Sequence, residues 1–275
     1  MIKKYLSKLI RTVFSFLGKN KLEKILEIIN NILGISNNLD TRNYDTLKTF
    51  FKDKKINTVI EVGTLDGNNL LKLSKQFEIN KIISFNIFNE LNQELMDNEN
   101  VTIENFALGD VIGNKEIYFN ENKKEDANFL NRNLHFIDAP DEETKKVEMT
   151  TFDSYYSKNL ANELVDILIL DVNGYELNVL EGSVGSLDYI CCINFSMNSF
   201  QVHSKNHFKD YFQFFKEHNF ELFKVTSIGP QHIKKYKEVY ESVDNVNYLA
   251  FNKKFLIKII EDKKDPVYVL RENLK

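Results

Sequence analysis

The chain of 275 residues is long enough for one large domain, or for one domain with a modest appendage. Hydrophobic residues make up 43% of it, with 22 Phe and 12 Tyr, which supplies a real core and excludes global disorder. A formal net charge of -4 argues against a general nucleic-acid binder, because phosphate contacts need a concentrated basic face and most lysines here alternate with Glu and Asp.

The amino terminus, "MIKKYLSKLIRTVFSFLGKNKLEKILEIINNIL", has no twenty-residue apolar span and predicts no transmembrane helix. Its apolar run is too short and interrupted for a secretory signal. It reads as two amphipathic helices broken near Gly18. Leu6, Leu9, Ile10, Val13, Phe14 and Leu17 share one face, with Lys3, Lys4, Lys8 and Arg11 around it. Residues 1–45 thus form a helical extension. It caps the main domain or a second copy in a homodimer, lies on an anionic membrane surface, or is disordered. The expected location is cytoplasmic, with peripheral contact at the inner membrane surface under the second reading.

Residues 46–275 predict an α/β domain. From Asn57, strands alternate with helices. "NTVIEV" precedes a helix carrying Leu70, Leu71, Leu73 and Phe77, and "KIISFN" precedes a helix from Phe88 to Met96. "VTIENFA" is a third strand. "VDILILDV" is nearly continuous aliphatic, as in a central strand covered on both faces. A helix from Tyr175 through Leu180, the strand "DYICCINFSM" and a helix from Phe208 to Glu217 follow. Such alternation means crossover units and a mostly parallel sheet. "FELFKVTS" and "VNYLAFNKK" are joined only by a loop and predict an antiparallel pair at one edge. Asn120 to Glu143 is polar and irregular, a candidate lid, and "FLIKII" a terminal helix. Cys191 and Cys192 are adjacent, which disfavours a bridge between them and fits a reduced intracellular protein. They lack the partners of a zinc site.

Two turns stand where ligands bind in open parallel sheets, beyond the carboxyl ends of the strands. In "EVGTLDG", Gly63 permits a sharp turn and Gly67 a close approach. The stretch lacks both a phosphate-loop ending and the dinucleotide glycine pattern. Glu61 adds a negative charge that would repel a pyrophosphate and suits a cationic ligand such as S-adenosylmethionine. Any strand-to-helix turn can require two glycines, so this motif alone also has a purely structural reading. The second turn, "DVNGYELNVLEG", follows the central strand. Asp171 ends a buried strand with a charge, which calls for a partner or a ligand. Glu176 falls in the first turn of the next helix, where an acid suits the dipole.

Taken together, these stretches resemble the FkbM-type methyltransferases, from about Asn57 to Asn252. "VIEVGTLDG" matches the family's acid-valine-glycine turn, and "NFALGDVIGN" its third-strand segment. "MTTFDSYY" matches its threonine-hydrophobe-Asp element, and "LILDVNGYELNVLEG" its strongest motif. The resemblance implies a Rossmann-like class I methyltransferase fold, a mostly parallel seven-stranded sheet with an antiparallel edge pair. It implies S-adenosylmethionine as cofactor, and O-methylation of a hydroxyl on a glycan or related small molecule, as in polysaccharide biosynthesis. No metal-ligand spacing supports a divalent ion bridging Asp171 and a second carboxylate. Carried over by position, Glu61 and the Gly63–Gly67 backbone hold the methionine end, Asn86 the ribose, and Phe106 and Ala107 the adenine. Asp171 and His203 are the candidate bases; His135 and His232 are candidate substrate contacts.

Three positions depart from the family. Asn86 stands where Glu usually holds the ribose hydroxyls, an exchange that costs about 1–2 kcal/mol as a charged hydrogen bond becomes neutral. Asn173 replaces the usual Glu of the strongest motif, and Asn194 an acid often found in the fifth strand. These mark drift, a pocket retuned for another substrate, or lost catalysis. The alternative function is therefore a non-catalytic methyltransferase-fold partner or scaffold subunit. A nucleotide-dependent oxidoreductase fits less well, given Asn86 and the missing glycine pattern.

Overall fold

The computed structural model describes residues 39–51, 55–63, 65–88, 90–129, 143–198, 204–226, 229–241 and 245–262. The helices expected before residue 39, and also His135 and His203, lie outside the described residues. Among the described residues no helix is long and apolar enough to cross a membrane.

Strand β1 (Ile56–Val62) is the pivot. It pairs in parallel with β2 (Ile79–Phe85) on one side and β7 (Val165–Leu170) on the other, so that Val62 stands opposite both Phe85 and Leu170. β3 (Val101–Glu104) extends the sheet beyond β2, and β8 (Ile190–Met197) beyond β7. The aliphatic run of β7 sits in the middle, where both faces are covered. Strand order reverses between β1 and β7, and this opens a crevice beyond their carboxyl ends.

Among the described residues the sheet has eight strands, not the expected seven, in the order β10 (Gly229–Ile233), β9 (Phe220–Thr226), β11 (Val246–Asn252), β8, β7, β1, β2, β3. β9 and β11 are antiparallel as expected, with β11 inserted between β8 and β9. The additional strand, β10, lies inside the segment that reads as a loop and forms the edge. Its Gly and Pro hide it, yet Pro is tolerated on an edge strand, where no ladder donor is needed. The Thr226 hydroxyl donates to the Gly229 carbonyl at 2.6 Å, and the buried ring of His232 meets the Glu221 carboxylate at 2.8 Å. His232 is thereby a packing residue of the edge hairpin, its side chain buried and stacked on Phe223 away from the three cavities' linings.

A second, three-stranded sheet was not legible in the sequence. It is built from β4 (Ala107–Leu108), β6 (Glu143–Thr150) and β5 (Gly113–Phe119) in that order. Ile117, Phe119, Val147 and Met149 bury its inner face against the main core. The expected helix from Phe88 to Met96 shrinks to α3 (Gln93–Met96), because Asn92 caps it by accepting from the Glu94 N–H at 2.9 Å.

The sheet's two faces carry separate apolar clusters. One packs α4 (Phe152–Asn159), α5 (Glu176–Glu181), α6 (Phe208–Glu217) and the second sheet. The other packs α1 (Leu39–Phe51), α2 (Asn68–Ser74) and α7 (Lys253–Asp262). Cys191 and Cys192 form no disulfide and are buried within it. Helix α1 runs across the expected junction at residue 45, with Tyr44, Leu47, Phe50 and Phe51 in the core. Phe50 is 1% exposed and lies 4.2 Å from the Phe251 ring centroid and 5.5 Å from that of Phe223. We expect Phe50→Ala to lower the unfolding free energy by about 3–5 kcal/mol in denaturant titration, as for a large core truncation. A loss below about 1 kcal/mol would show that α1 lies outside the cooperative core.

Candidate functional site

The crevice is held closed from below by two glycines. Gly63 follows β1 with φ of 95°, and a Cβ there would fall 2.0 Å from the Asp171 carbonyl oxygen. Gly67 caps α2 with φ of 75°, and a Cβ there would fall 2.1 Å from Cδ1 of Leu95. Both glycines therefore answer to protein packing as well as to backbone conformation. The Asp171 N–H donates to the Val62 carbonyl at 3.0 Å, so the ends of β1 and β7 are locked side by side.

Three cavities surround this junction. The first, with about 560 Å³ of empty space, has mainly apolar walls, including Phe85, Ile87, Phe88, Phe106, Ala107 and Ile117. Phe106 and Ala107 thus border an aromatic slot. The second, about 580 Å³, is lined by Glu61, Gly63, Asp66, Gly67, Glu125 and Asp171, with Asn side chains beside them. Its described lining holds no Lys or Arg. The third, about 890 Å³, opens on the β7–β8–β11 side. Asp171 and Asn173 line all three. Asp171 is exposed at its strand's end, whereas Glu61 is buried. Of the expected residues, Glu61, Gly63, Gly67, Phe106, Ala107 and Asp171 are brought together here.

Asn86 is not in either wall. It is fully buried, its Nδ2 donating to the Leu65 carbonyl at 2.8 Å and its Oδ1 accepting from the Phe88 N–H at 2.9 Å. Its amide braces the glycine turn against the end of β2, which leaves it poorly placed to hold a ribose.

Asn173 and Glu176 carry more of the site than their sequence positions indicate. Asn173 has φ of 50° and is followed by Gly174 at 92°, a left-handed pair that Asn tolerates far better than Glu. Its Nδ2 donates to the carbonyls of Glu125 at 2.8 Å and Ala127 at 2.9 Å, clamping the segment before residue 130 onto the junction. A carboxylate could make neither bond. Glu176 is completely buried. Its Oε1 accepts from the N–H groups of Val172 and Gly174, each at 3.2 Å, and the Tyr211 hydroxyl donates to Oε2 at 3.3 Å. Burial pushes its carboxyl up to about 7; the backbone donors oppose this and the Asp171 charge reinforces it. Helix-dipole reasoning found the acid but not this role. Next in the chain, Tyr175 donates to Asp110 at 2.7 Å and carries the Lys115 ammonium 4.3 Å from its ring centroid, fastening the second sheet to the same turn.

Electrostatically the junction is acidic. Lys124, the only Lys or Arg among the described residues lining the first cavity, pairs with Glu90 at 2.6 Å and Glu121 at 2.7 Å. Among the described residues no group of three or more His, Cys, Asp or Glu could hold a metal ion.

A family model described as the methyltransferase FkbM domain matches residues 61–222. Among solved structures, the plantazolicin methyltransferase BpumL in complex with SAH is 11% identical, covering 86% of this chain and 91% of that one, with a TM-score of 0.43. The precorrin-6y C5,15-methyltransferase from Geobacter metallireducens GS-15 is 11% identical over 79% of this chain and 91% of that one, with a TM-score of 0.39. A putative hemolysin from Lactococcus lactis is 10% identical over 82% and 97%, with a TM-score of 0.38. No curated protein sequence matches the chain.

The buried acid and the clamp each yield an expectation. Between 4.5 and about 7 the folded protein keeps the Glu176 proton that the unfolded chain releases. The stability this confers is complete below the unfolded value and declines as pH rises through about 7. Glu176→Gln keeps an oxygen for both N–H groups and removes the titration. Its denaturation midpoint should therefore lose this part of the pH dependence, on the order of 3 kcal/mol at most. An unchanged profile would show that Glu176 titrates alike in the folded and the unfolded chain. Asn173→Asp should lose both clamp bonds, and amide hydrogen exchange at residues 120–129 should then quicken about tenfold or more. Unchanged exchange would show that the clamp is not what orders the segment.

Proposed function

Because the chain belongs to the FkbM methyltransferase family, its domain model covering residues 61–222, we propose that it is an S-adenosylmethionine-dependent O-methyltransferase acting on a hydroxyl of a glycan or related small molecule. The observation that carries this reading is the convergence of an aromatic slot, an acidic glycine turn and a polar cavity on one exposed carboxylate, Asp171.

The donor chemistry fits such a cofactor. The glycine turn offers Glu61, Asp66 and Asp171 and, among the described residues lining it, no cation, which suits a sulfonium and an ammonium and opposes a phosphate. Glu61 and the main chain of Gly63 to Gly67 would hold the methionine end. Phe85, Phe88, Phe106 and Ala107 would enclose the adenine. When bound, the cofactor supplies an already activated methyl group, so the protein's task is alignment and exclusion of water. Asp171 accepts the acceptor hydroxyl's proton at its carboxylate, a role typically worth about 10²–10⁴ in rate. Glu176 positions it by fixing the turn that follows, and Asn173 holds the neighbouring segment over the slot.

Calorimetric titration of the full chain with S-adenosylmethionine and S-adenosylhomocysteine tests this. We expect saturable one-to-one binding, weakened about tenfold by Phe106→Ala through loss of a ring from the slot. Asp171→Asn removes one of the turn's three carboxylates and should weaken that binding by about tenfold or less, while lowering turnover on an acceptor by about 10²–10⁴. No heat and no thermal stabilisation by either compound would overturn the proposal in favour of a methyltransferase-fold partner without turnover.

A further inference from the structure

Strand β8 changes character along its length. Residues Ile190 to Ile193 are apolar, and from there polar side chains occupy every second position, at Asn194, Ser196 and Asn198. The neighbouring β11 mirrors this. Asn247 stands opposite Ser196, and Asn245 follows two residues towards the crevice. In the other direction the same alternation gives Leu249 and Phe251, which belong with Cys192 to the buried core. One face of the strand pair is therefore apolar in the core and turns polar towards the crevice. That polar half, with Asn69 from α2 and with Tyr44 and Leu47 of α1, walls the third cavity beside Asp171.

Beyond the buried Asn194, folding alone does not call for this pattern, since continued apolar alternation would extend the core and bury more area. A ligand does call for it. The carboxamides of Asn69, Asn245 and Asn247 each carry both donor and acceptor, which matches the alternating donor and acceptor character of a polyol, whereas that of Asn194 donates to the Tyr248 carbonyl at 3.4 Å. Asp171 is the sole charge in the described lining, so a phosphate or carboxylate on the ligand would meet like charge with no cation to pair it. We propose that this amide-lined cavity is the acceptor site and selects a neutral saccharide, rejecting phosphorylated and uronic-acid sugars. The inference rests on the methyltransferase reading for the word acceptor; the saccharide chemistry rests on the cavity itself.

Ligand-observed saturation-transfer NMR on the full chain tests it. The probes are the methyl glycosides of glucose, galactose, mannose, rhamnose and fucose, set against glucuronic acid and glucose 6-phosphate, with and without S-adenosylhomocysteine. At least one neutral glycoside should receive saturation and neither anion should. Asn247→Leu and Asn245→Leu should each weaken that sugar about tenfold or more, with S-adenosylhomocysteine affinity unchanged. Asn245 is exposed, so its variant keeps the test valid if Asn247→Leu fails to fold. The inference falls if S-adenosylhomocysteine binds and no neutral sugar does, if the anions bind equally well, or if both variants leave sugar binding intact. Sugar binding that obeys the variants without any S-adenosylhomocysteine binding would uphold the saccharide site and overturn the methyltransferase reading instead.

Discussion

The structure turns on one contact, the packing of Gly63 against the carbonyl of Asp171. Any side chain at position 63 would have its Cβ 2.0 Å from that oxygen, closer than nonbonded atoms can come. The contact joins the ends of the two strands between which strand order reverses, so it fixes the width of the crevice. It also sets where Asp171 emerges, and Asp171 borders each of the three cavities. A wider separation of β1 and β7 would split an aromatic slot from a polar cavity. At this separation they share a wall.

Beneath that contact lies a buried acid. Placing Glu176 where water cannot reach costs desolvation, and two main-chain donors and one hydroxyl only partly offset it. What the arrangement secures is the shape of the turn from Asp171 to Gly174. Two consecutive residues there have positive φ, a conformation that needs support from outside the local chain. The turn is thus held from below by Glu176 and laterally by Tyr175, while Asn173 reaches out to the second sheet's loop. Rigid support of this kind is what a positioned base requires.

Much of this was legible in the sequence, and the failures have a common form. Alternation of strands and helices gave the parallel half of the sheet, since each strand carries its own apolar run. Asp171 was conspicuous as a charge ending an aliphatic strand, and Phe106 and Ala107 by their place after the third. β10 was hidden because Gly229 and Pro230 signal a loop, while the pairing that overrides them comes from β9 across the hairpin. The second sheet was hidden because β4 has two residues and β5 gains its buried face only when β6, far along the chain, supplies the other side. The roles of Asn86 and Asn173 depend on carbonyls 21 and 46 residues away, which no local pattern encodes.

The amides themselves bear on whether the site has decayed. Loss of function relaxes a position, and a relaxed position accepts residues without regard to hydrogen-bond polarity. Asn86 and Asn173 do the opposite: each uses its N–H₂ group to donate to main-chain carbonyls, a bond that the acid expected there cannot form. Asn173 also occupies a left-handed conformation for which Asn is the favoured side chain after Gly. Asn194 joins a face whose polarity begins where the crevice begins and stops where the core starts. Drift in an Asn-rich chain would scatter amides without this correlation. Asn86 and Asn173 instead replace charge with directional bonds, and Asp171 stands among neutral neighbours on the β8–β11 side and acidic ones at the glycine turn. The proposed cationic cofactor and the proposed neutral acceptor would meet Asp171 from these two sides.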